Sequence, residues 1–319
     1  MISIVIPVYN EKRNLQSLYP EITRVMKSLT YDYELVFVDD GSTDKSFDVL
    51  SEIQQNDKKV KIIRLRRNFG KSAVYSAGFH HAKGEIIITM DADLQDDPNE
   101  IPLFIDKINE GYDIVIGWKH RGKGSLDKTI PSKIFNKVVS YVTGIPLHDF
   151  NCPFKAYRRE VLQELDIHGK LHRFIPVLAI SRGFSFAEIK IKNLPRRHGE
   201  SNFGIERYHQ GMLDLLTVLF LTRFAKRPLH LPGMAGLISC LTGSFILFVL
   251  VGAHFLHIAG LLPNPAWNIH DRPLLSLGIL LIIVGIQCFS IGLLGELFIN
   301  VIGSPGNNSE YSIRQILDE

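Results

Sequence analysis

The chain has 319 residues, of which 45% are hydrophobic and 22% charged, a composition typical of folded rather than disordered proteins. This length suits one large α/β domain with additional elements or two ordinary domains, and a net charge of only +3 argues against nucleic acid as the main partner. The three cysteines, Cys152, Cys240 and Cys288, follow neither a metal-binding spacing nor a disulfide framework.

Short apolar runs alternate with amphipathic segments over the first 117 residues. We predict strands at residues 2–8, 33–38, 60–64, 85–90 and 113–117, and helices at residues 15–29, 45–55, 72–82 and 98–110. Such alternation indicates a parallel sheet covered by helices. Sheets of this kind bind ligands at the carboxyl ends of their strands, where Asn10-Glu11, Asp39-Asp40 and Asp91–Asp93 stand.

Loops after the first two predicted strands carry acids and amides. Asn10 and Glu11 follow the first strand, and Asp39 and Asp40 follow the second. Such groups can bind the base edge and ribose hydroxyls of a nucleotide. The alternative is helix capping, with Asn10 capping one helix and Ser42 or Thr43 the next.

A third loop contains Gly70-Lys71-Ser72, which superficially resembles a P-loop. The Walker A pattern would require glycine where Leu65 stands, so we reject that interpretation. A cation at Lys71 could still face a pyrophosphate. The chain contains no G-x-G-x-x-G, which argues against a dinucleotide-dependent oxidoreductase.

The sharpest chemical signal follows the fourth predicted strand, where Asp91, Asp93 and Gln95 alternate with apolar residues. Side chains two residues apart in an extended segment point the same way, so we expect these three to converge on one cation. Carboxylate and amide oxygens suit Mg²⁺ or Mn²⁺. The alternative is an acidic turn that is merely solvated.

The segment from residue 117 to 136 is strongly basic. It holds Lys119, Arg121, Lys123, Lys128 and Lys133 with a single acid, Asp127. Its position after a strand end, beside the predicted metal site, favours binding of a phosphate group. The alternative is an ordinary solvated charged surface.

Two apolar runs near the carboxyl end, at about 233–256 and 274–297, are long enough to cross a bilayer. Arg223, Lys226 and Arg227 precede the first run, so the positive-inside rule predicts a cytoplasmic amino-terminal domain and a tail on the same side. Residues 204–232 are too polar to span the bilayer, and their mixture of apolar and charged side chains predicts interfacial amphipathic helices. The alternative is a core helix of the soluble domain.

The resulting organisation is a catalytic domain at 1–203, interfacial helices at 204–232, two spans within 233–302 and a cytoplasmic tail at 303–319. We therefore expect a multi-pass protein of the inner (cytoplasmic) membrane, with the lipid bilayer as a partner. The sequence leaves homo-oligomerisation open.

A series of five motifs resembles the family-two glycosyltransferases of GT-A fold. In chain order the motifs are I-P-V-Y-N-E, V-D-D-G-S-T-D, N-F-G-K, A-G-F-x-x-A-x-G-E and M-D-A-D-L-Q. The segments 149–159 and 196–203 resemble dolichol-phosphate mannose synthases and, with the two spans, bacterial polyprenyl-phosphate glucosyltransferases. The resemblance covers nearly the whole chain. One departure is Cys152-Pro153-Phe154-Lys155, where relatives often have Ser-Gly-Phe-Arg.

The resemblance implies roles for individual residues. The nucleotide-binding residues would be Pro7, Asn10, Glu11, Asp39, Asp40 and Lys71. Asp91, Asp93 and Gln95 would bind the metal and the diphosphate, while Asp149 would face the reacting sugar or the acceptor. Candidates for the acceptor phosphate are Lys119, Arg121, Ser132, Lys133 and Asn136, together with Arg196 and Ser201 from a loop that closes over the site. Asp93, Asp149 and Arg121 are the predicted catalytic residues.

The implied reaction moves a hexose from a nucleotide-sugar to polyprenyl phosphate, with UDP-glucose and undecaprenyl phosphate as the favoured pair and GDP-mannose as an alternative donor. A phosphate monoester has a second pKa of about 6 and is largely dianionic at neutral pH, so it needs little help from a general base. Direct attack would invert the anomeric carbon, and the metal would stabilise the departing diphosphate.

Two rival functions are disfavoured. A processive polysaccharide synthase would carry Q-x-x-R-W, and neither Trp118 nor Trp267 follows that pattern. A non-enzymatic membrane scaffold would not need the intact set of Asp91, Asp93 and Gln95.

Overall fold

The computed structural model describes residues 1–120, 136–141, 143–165, 171–195, 229–261 and 273–302. The described residues fall into two compact units, one within 1–195 and one within 229–302. Within the predicted interfacial segment at 204–232, residues 204–228 lie outside the described residues. The predicted tail at 303–319 also lies outside them.

One sheet organises the amino-terminal unit. In the described residues its strands are β1 (Ile2–Val8), β2 (Tyr33–Asp39), β3 (Val60–Arg64), β4 (Ile86–Thr89), β5 (Ile114–His120), β6 (Lys155–Arg158) and β7 (Phe186–Lys192). They lie in the order β3-β2-β1-β4-β6-β5-β7. The five predicted strands are all present, with bounds within three residues of the prediction.

The five predicted strands all run in the same direction, as predicted, but the sheet as a whole is mixed because of a strand that was not predicted. The short strand β6 lies between β4 and β5 and runs antiparallel to both. Its first residue, Lys155, therefore pairs with Thr89 at the carboxyl end of β4. This reversal places the start of β6 beside the carboxyl end of β4.

Helices cover both faces of the sheet. Their bounds are α1 (Lys12–Ser28), α2 (Ser46–Asn56), α3 (Lys71–His81), α4 (Ile101–Asn109), α5 (Arg159–Gln163) and α6 (Ile175–Ser181), with 3-10 turns at Pro98–Glu100 and Leu171–Phe174. Residues 136–141 are also helical. The four helices predicted before residue 117 are present, and the last of them begins with the 3-10 turn.

The core consists of two layers separated by the central strands. Ile4 and Ile6 of β1 pack in one cluster with Leu15 of α1. Val5 of β1 belongs to the other cluster, with Val74 of α3. Because β1 and β2 are buried on both faces, their sequences are continuous apolar runs rather than alternating ones.

The second unit is a pair of long helices, α7 (His230–Ile258) and α8 (Pro273–Ile302). Both are long and apolar enough to cross a membrane, judged by length and composition alone, and they contain the predicted runs. Glycines allow their backbones to approach closely. A Cβ on Gly236 would lie 2.6 Å from the carbonyl oxygen of Gly285, and one on Gly243 would lie 2.6 Å from that of Gly278.

Candidate active site

A cavity of about 200 Å³ lies where the carboxyl end of β4 meets the amino end of β6. The predicted residues that line it are Lys71, Asp91, Asp93, Gln95 and Lys119. Its other walls include side chains from α3, from β6 and from the turn at Leu171–Phe174. Residues predicted from three separate motifs therefore share one pocket.

The acidic segment is a turn, so the argument from an extended segment was wrong. Leu94 has a φ of +60°, in the left-handed region. The backbone N–H of Gln95 donates to Asp93 Oδ1 at 3.2 Å, and that of Asp91 donates to Asp96 Oδ2 at 3.1 Å. The turn nevertheless presents Asp91, Asp93 and Gln95 to the same pocket.

Lys71 places a positive charge at this turn. Its Nζ lies 2.7 and 2.6 Å from the two carboxylate oxygens of Asp91, and it belongs to the first turn of α3. The Asp91 carboxylate is thus paired with a cation from the protein itself. The side chains of Asp91, Asp93 and Gln95 all carry oxygen donors on the same pocket, and donors of this chemical type suit Mg²⁺ or Mn²⁺.

Within the described residues, no three His, Cys, Asp or Glu side chains come together as a metal-ligand cluster. A divalent cation held here would therefore take ligands from two carboxylates, an amide oxygen and a bound diphosphate. Mg²⁺ is commonly bound in this way, through one or two carboxylates and substrate phosphates.

Lys119 lines the pocket, and its ammonium is paired with a carboxylate, while its role at the acceptor phosphate stays a prediction. Its Nζ lies 2.7 Å from Asp96 Oδ1, and the two side chains are 8% and 0% exposed. Burial alone would lower the pKa of Lys119, but the Asp96 carboxylate outweighs burial and the pKa is raised. Burial raises the pKa of Asp96, and Lys119 opposes that shift.

The predicted nucleotide residues lie at the ends of β1 and β2. Pro7 is buried within β1 and pairs with Val38. Asp39 is fully buried, and its Oδ1 accepts the N–H of Ser42 at 3.0 Å. Its Oδ2 lies 3.5 Å from Arg64 Nε.

Asp40 holds the loop that precedes α3. Its two carboxylate oxygens accept the N–H groups of Phe69 at 2.7 Å and Gly70 at 3.0 Å. Burial raises the pKa of Asp40, although these two hydrogen bonds oppose the shift. Since Gly70 precedes Lys71, Asp40 positions the lysine that pairs with Asp91.

Asn10 and Glu11 connect the first two loops. Asn10 Oδ1 accepts the N–H of Thr43 at 2.9 Å, and the Asn10 N–H donates to Ser42 Oγ at 3.0 Å. The N-cap positions of α1 and α2 are Glu11 and Lys45, and neither side chain makes a capping hydrogen bond. The capping alternative was therefore wrong, and these polar groups join the two loops instead.

Two predicted residues, Asp149 and Asn136, are not among the side chains that line the cavity. Asp149 Oδ1 accepts the N–H of Asn151 at 3.0 Å. Asn136 is buried, and its Nδ2 donates to the carbonyl of His148 at 2.9 Å, so it holds a turn. The remaining predicted residues, Arg121, Ser132, Lys133, Arg196 and Ser201, lie outside the described residues.

The sequence analysis did not assign to the site seven polar side chains that line the cavity, namely Tyr75, Thr89, Asn151, Lys155, Tyr157, His172 and Arg173. His172 Nδ1 lies 2.8 Å from Ser72 Oγ, a contact between residues 100 positions apart. Asn151, Lys155 and Tyr157 stood in the quoted segment 149–159. The others come from α3, β4 and the turn at Leu171–Phe174, and no local pattern connects these three elements.

The sequence model of Glycosyl transferase family 2 matches residues 3–166. A dodecaprenyl-phosphate galacturonate synthase of Rhizobium johnstonii is 33% identical over 100% of this chain and 93% of its own length. An undecaprenyl-phosphate 4-deoxy-4-formamido-L-arabinose transferase of Shewanella sediminis is 35% identical over 99% of this chain and 92% of its own length.

Solved structures also match the fold. Glucosyl-3-phosphoglycerate synthase of Mycobacterium tuberculosis, crystallised with Mn²⁺, UDP and phosphoglyceric acid, has a TM-score of 0.55 and 18% identity. The match covers 69% of this chain and 78% of that one. At this level of identity the likeness shows a shared fold.

Proposed function

The chain belongs to glycosyl transferase family 2 and has its GT-A fold, and from this premise we propose that it transfers a sugar from a nucleotide-sugar to polyprenyl phosphate. The observation that carries the proposal is the pocket in which the acidic turn meets Lys71 at the carboxyl end of β4. The two relatives named above, which match nearly the whole chain, are named as transferases or synthases that use polyprenyl phosphates.

The donor diphosphate would bind at the acidic turn. Asp91, Asp93 and Gln95 would hold a divalent cation, which neutralises charge on the departing diphosphate when bound. Lys71 pairs with Asp91 at the start of α3, where it can also bind diphosphate oxygens. Asp40 fixes the backbone before Lys71 and so holds the Lys71 ammonium in position.

The acceptor needs positioning more than deprotonation. A phosphate monoester is largely dianionic at neutral pH and attacks the anomeric carbon directly, which inverts its configuration. We assign Asp149 to positioning of the sugar or a cation rather than to an obligatory base. Arg121, with Ser132 and Lys133, remains our proposal for the acceptor phosphate, because a guanidinium binds phosphate oxygens in pairs.

The sequence and the relatives indicate different donor sugars, although they indicate the same reaction. The sequence favoured glucose from UDP-glucose, while the two relatives are named for galacturonate and 4-deoxy-4-formamido-L-arabinose. A donor panel should therefore include neutral hexoses, uronic acids and amino-sugar derivatives.

The test is transfer by the full chain in detergent or nanodiscs. We expect a labelled lipid-linked sugar to form from one donor of the panel with undecaprenyl phosphate and Mg²⁺ or Mn²⁺. Asp93→Asn should lower the rate by about two to three orders of magnitude, the loss typical of one key electrostatic group. Lys107→Met, on the exposed side of α4, is the matched control and should keep full rate.

Three results would contradict the proposal. Transfer unaffected by EDTA would exclude the metal role. Growth of a polysaccharide without lipid phosphate would favour the processive synthase. Absence of any transfer or hydrolysis across the panel would favour a non-enzymatic protein.

A further inference from the structure

A carboxylate–histidine pair lies beside β5 and β7, outside the set of residues that line the cavity. His148 Nδ1 lies 2.7 Å from Glu188 Oε2. The backbone N–H of His148 donates to Glu188 Oε1 at 2.8 Å, and that of Asp149 donates to the same oxygen at 3.4 Å. One side chain of β7 therefore holds both the ring and the backbone of this turn.

Two further elements fix the same histidine. Trp118 of β5 stacks on the His148 ring, with the ring centroids 4.1 Å apart and the planes 17° apart. Asn136, in the helix at 136–141, donates to the His148 carbonyl at 2.9 Å. An exposed ion pair alone would hold a surface side chain only weakly. Support of a polar ring from several rigid elements is instead typical of residues that bind a ligand.

The contact with Glu188 leaves the second ring nitrogen of His148 available. An ionised carboxylate only accepts, so Nδ1 carries the hydrogen of this contact. Nε2 forms no hydrogen bond with the residues that the structure describes, and the His148 side chain is 60% exposed. Nε2 accepts a hydrogen bond in the neutral imidazole and donates one in the imidazolium. It can therefore share one proton with a ligand in either state.

The histidine lies close to the proposed active site. His148 stands three residues before Asn151, and Trp118 directly precedes Lys119. Asn151 and Lys119 both line the cavity. Three residues of chain span at most about 11 Å, so the His148 ring stands near the cavity wall.

The charges around this ring favour an anionic ligand. Glu188 and Lys190 lie two residues apart on β7, so their side chains point to the same face as Trp118, which pairs with Lys190. Lys190 Nζ lies 5.0 Å from the centre of the Trp118 ring and forms no ion pair with the described residues. The Glu188 carboxylate, 13% exposed, is already engaged by the turn. The exposed charge on this face is therefore positive.

We propose, on the basis of the function proposed above, that His148 binds the acceptor phosphate through Nε2 and that Glu188 is the positioning residue that orients its ring. A phosphate monoester has a second pKa of about 6, so near neutral pH it carries one proton or none. The imidazolium donates to the dianion, and the neutral imidazole accepts from the monoanion. The diphosphate of a nucleotide-sugar has no such proton, so this contact distinguishes the acceptor from the donor.

The proton of a monoanionic acceptor has a defined destination in this arrangement. A phosphate oxygen forms the bond to the anomeric carbon, and the nucleoside diphosphate leaves with the electrons of the bond that breaks. The product is a phosphodiester, which no longer carries the proton. That proton stays on Nε2 and is then released to solvent.

The experiment measures binding of undecaprenyl phosphate and of UDP to the full chain in detergent with Mn²⁺, by calorimetry. We expect His148→Ala to weaken undecaprenyl phosphate binding at least about tenfold, the loss typical of a charge-assisted hydrogen bond, and to leave UDP affinity unchanged. Transfer kinetics should divide in the same way, with a raised KM for undecaprenyl phosphate alone. Phosphatidylglycerol, which is a phosphodiester, should not compete at equal concentration.

Three variants separate ligand binding from folding. His148→Gln places an amide nitrogen near the position of Nε2 and should recover part of the affinity. Glu188→Gln keeps an acceptor for the backbone N–H of His148 and should weaken acceptor binding by a smaller factor. His80→Ala removes an exposed histidine from the last turn of α3, so it is the matched control and should bind as wild type. Thermal unfolding identifies any variant that fails to fold, and if Glu188→Gln does, the two His148 variants decide.

The inference is overturned if the wild type does not bind undecaprenyl phosphate, or if His148→Ala binds it as tightly as wild type. An equal loss of UDP affinity would assign the ring to the donor, and competition by phosphatidylglycerol would assign it to bilayer headgroups; either overturns the inference. A lower unfolding temperature with unchanged binding would leave only a surface ion pair. Transfer by the wild type with unchanged acceptor affinity in His148→Ala removes only this inference, whereas absence of transfer from every donor removes the proposed function.

Discussion

Lys119 illustrates how a cation can line a pocket and still serve the fold. Its charge is buried against Asp96, which is itself fully buried behind the acidic turn. Removing one partner of such a pair leaves an uncompensated buried charge, whereas removing both does not. Stability measurements can therefore separate the structural role from the predicted role at the acceptor.

We predict that Lys119→Met lowers the free energy of unfolding by about 3–5 kcal/mol, the range for breaking a buried ion pair. The double variant Lys119→Met/Asp96→Leu should recover much of that loss. Chemical denaturation measures both. If Lys119→Met is as stable as wild type and only KM for polyprenyl phosphate rises, Lys119 serves the acceptor after all.

Arg121 stands one residue beyond the described part of β5, and its role remains a prediction from the sequence. Arg121→Ala should leave nucleotide-sugar binding nearly intact and sharply lower turnover with polyprenyl phosphate. Arg121→Lys should recover only part, because an ammonium cannot reproduce a planar, paired contact. Calorimetry with nucleotide and kinetics with varied lipid phosphate provide the test; lost nucleotide affinity with unchanged lipid dependence would assign Arg121 to the donor.

The loop between β3 and α3 depends on a carboxylate from another loop. Asp40 accepts hydrogen bonds from Phe69 and Gly70, and Gly70 has a φ of +88°, a conformation that glycine tolerates. The loop thereby delivers Lys71 to Asp91 at the first turn of α3. The position of the Lys71 ammonium thus depends on the loop after β2, the loop between β3 and α3, and the first turn of α3.

We predict that Asp40→Asn weakens nucleotide binding indirectly, through the position of Lys71, because both carboxylate oxygens of Asp40 already accept the N–H groups of Phe69 and Gly70. The amide offers one acceptor oxygen instead of two, so one partly buried N–H loses its partner, at a cost of about 1 kcal/mol in stability. Fluorescence or calorimetric titration with UDP measures the first effect and denaturation the second. Normal affinity with lowered stability would show that Lys71 is positioned without this loop.

The sequence predicted β1 and β3 with their observed bounds. β1 is buried throughout, and a continuous apolar run between polar loops has few other solutions. β3 lies at the edge of the sheet and is only partly buried, so its turn-flanked β-branched residues identify it instead. β6 and β7 were not predicted. β6 is four residues long and begins with Lys155, and β7 carries charges at Glu188 and Lys190, so neither has the composition of a core strand.

The site was predictable where its residues lie close in sequence. Asp91, Asp93 and Gln95 were identified together, but their turn was not, because it depends on the left-handed conformation at Leu94. The partner of Lys119 could not be foreseen, since it follows from that turn and from the pairing of distant strands. The contact between Ser72 and His172 is likewise set by the tertiary fold.

The chain combines an α/β unit with a pair of apolar helices that pack through glycines. α7 and α8 have 29 and 30 residues, and Gly236, Gly243, Gly278 and Gly285 lie where their backbones meet. Leucine, isoleucine and phenylalanine side chains of both helices remain exposed. Exposed apolar surface of this extent fits contact with lipid rather than water.

We therefore predict that both ends of the chain lie on the cytoplasmic side of the membrane, with residues 262–272 on the opposite side. A helix of 29 residues is about 44 Å long at 1.5 Å per residue, enough to cross a hydrocarbon core of about 30 Å. Two crossings return the chain to its starting side, and Arg223, Lys226 and Arg227 before the first helix favour the cytoplasm.

Reporter fusions test this predicted topology. Alkaline phosphatase should be active when inserted at 262–272 and inactive after Glu319, and a fluorescent protein after Glu319 should fold and emit. Replacing Arg223, Lys226 and Arg227 with glutamine provides the control and should weaken the asymmetry. If the wild-type chain places residues 262–272 and the end after Glu319 on the same side, the helices do not each cross once. If alkaline sodium carbonate releases the wild-type chain from the membrane, the helix pair is not a bilayer anchor at all.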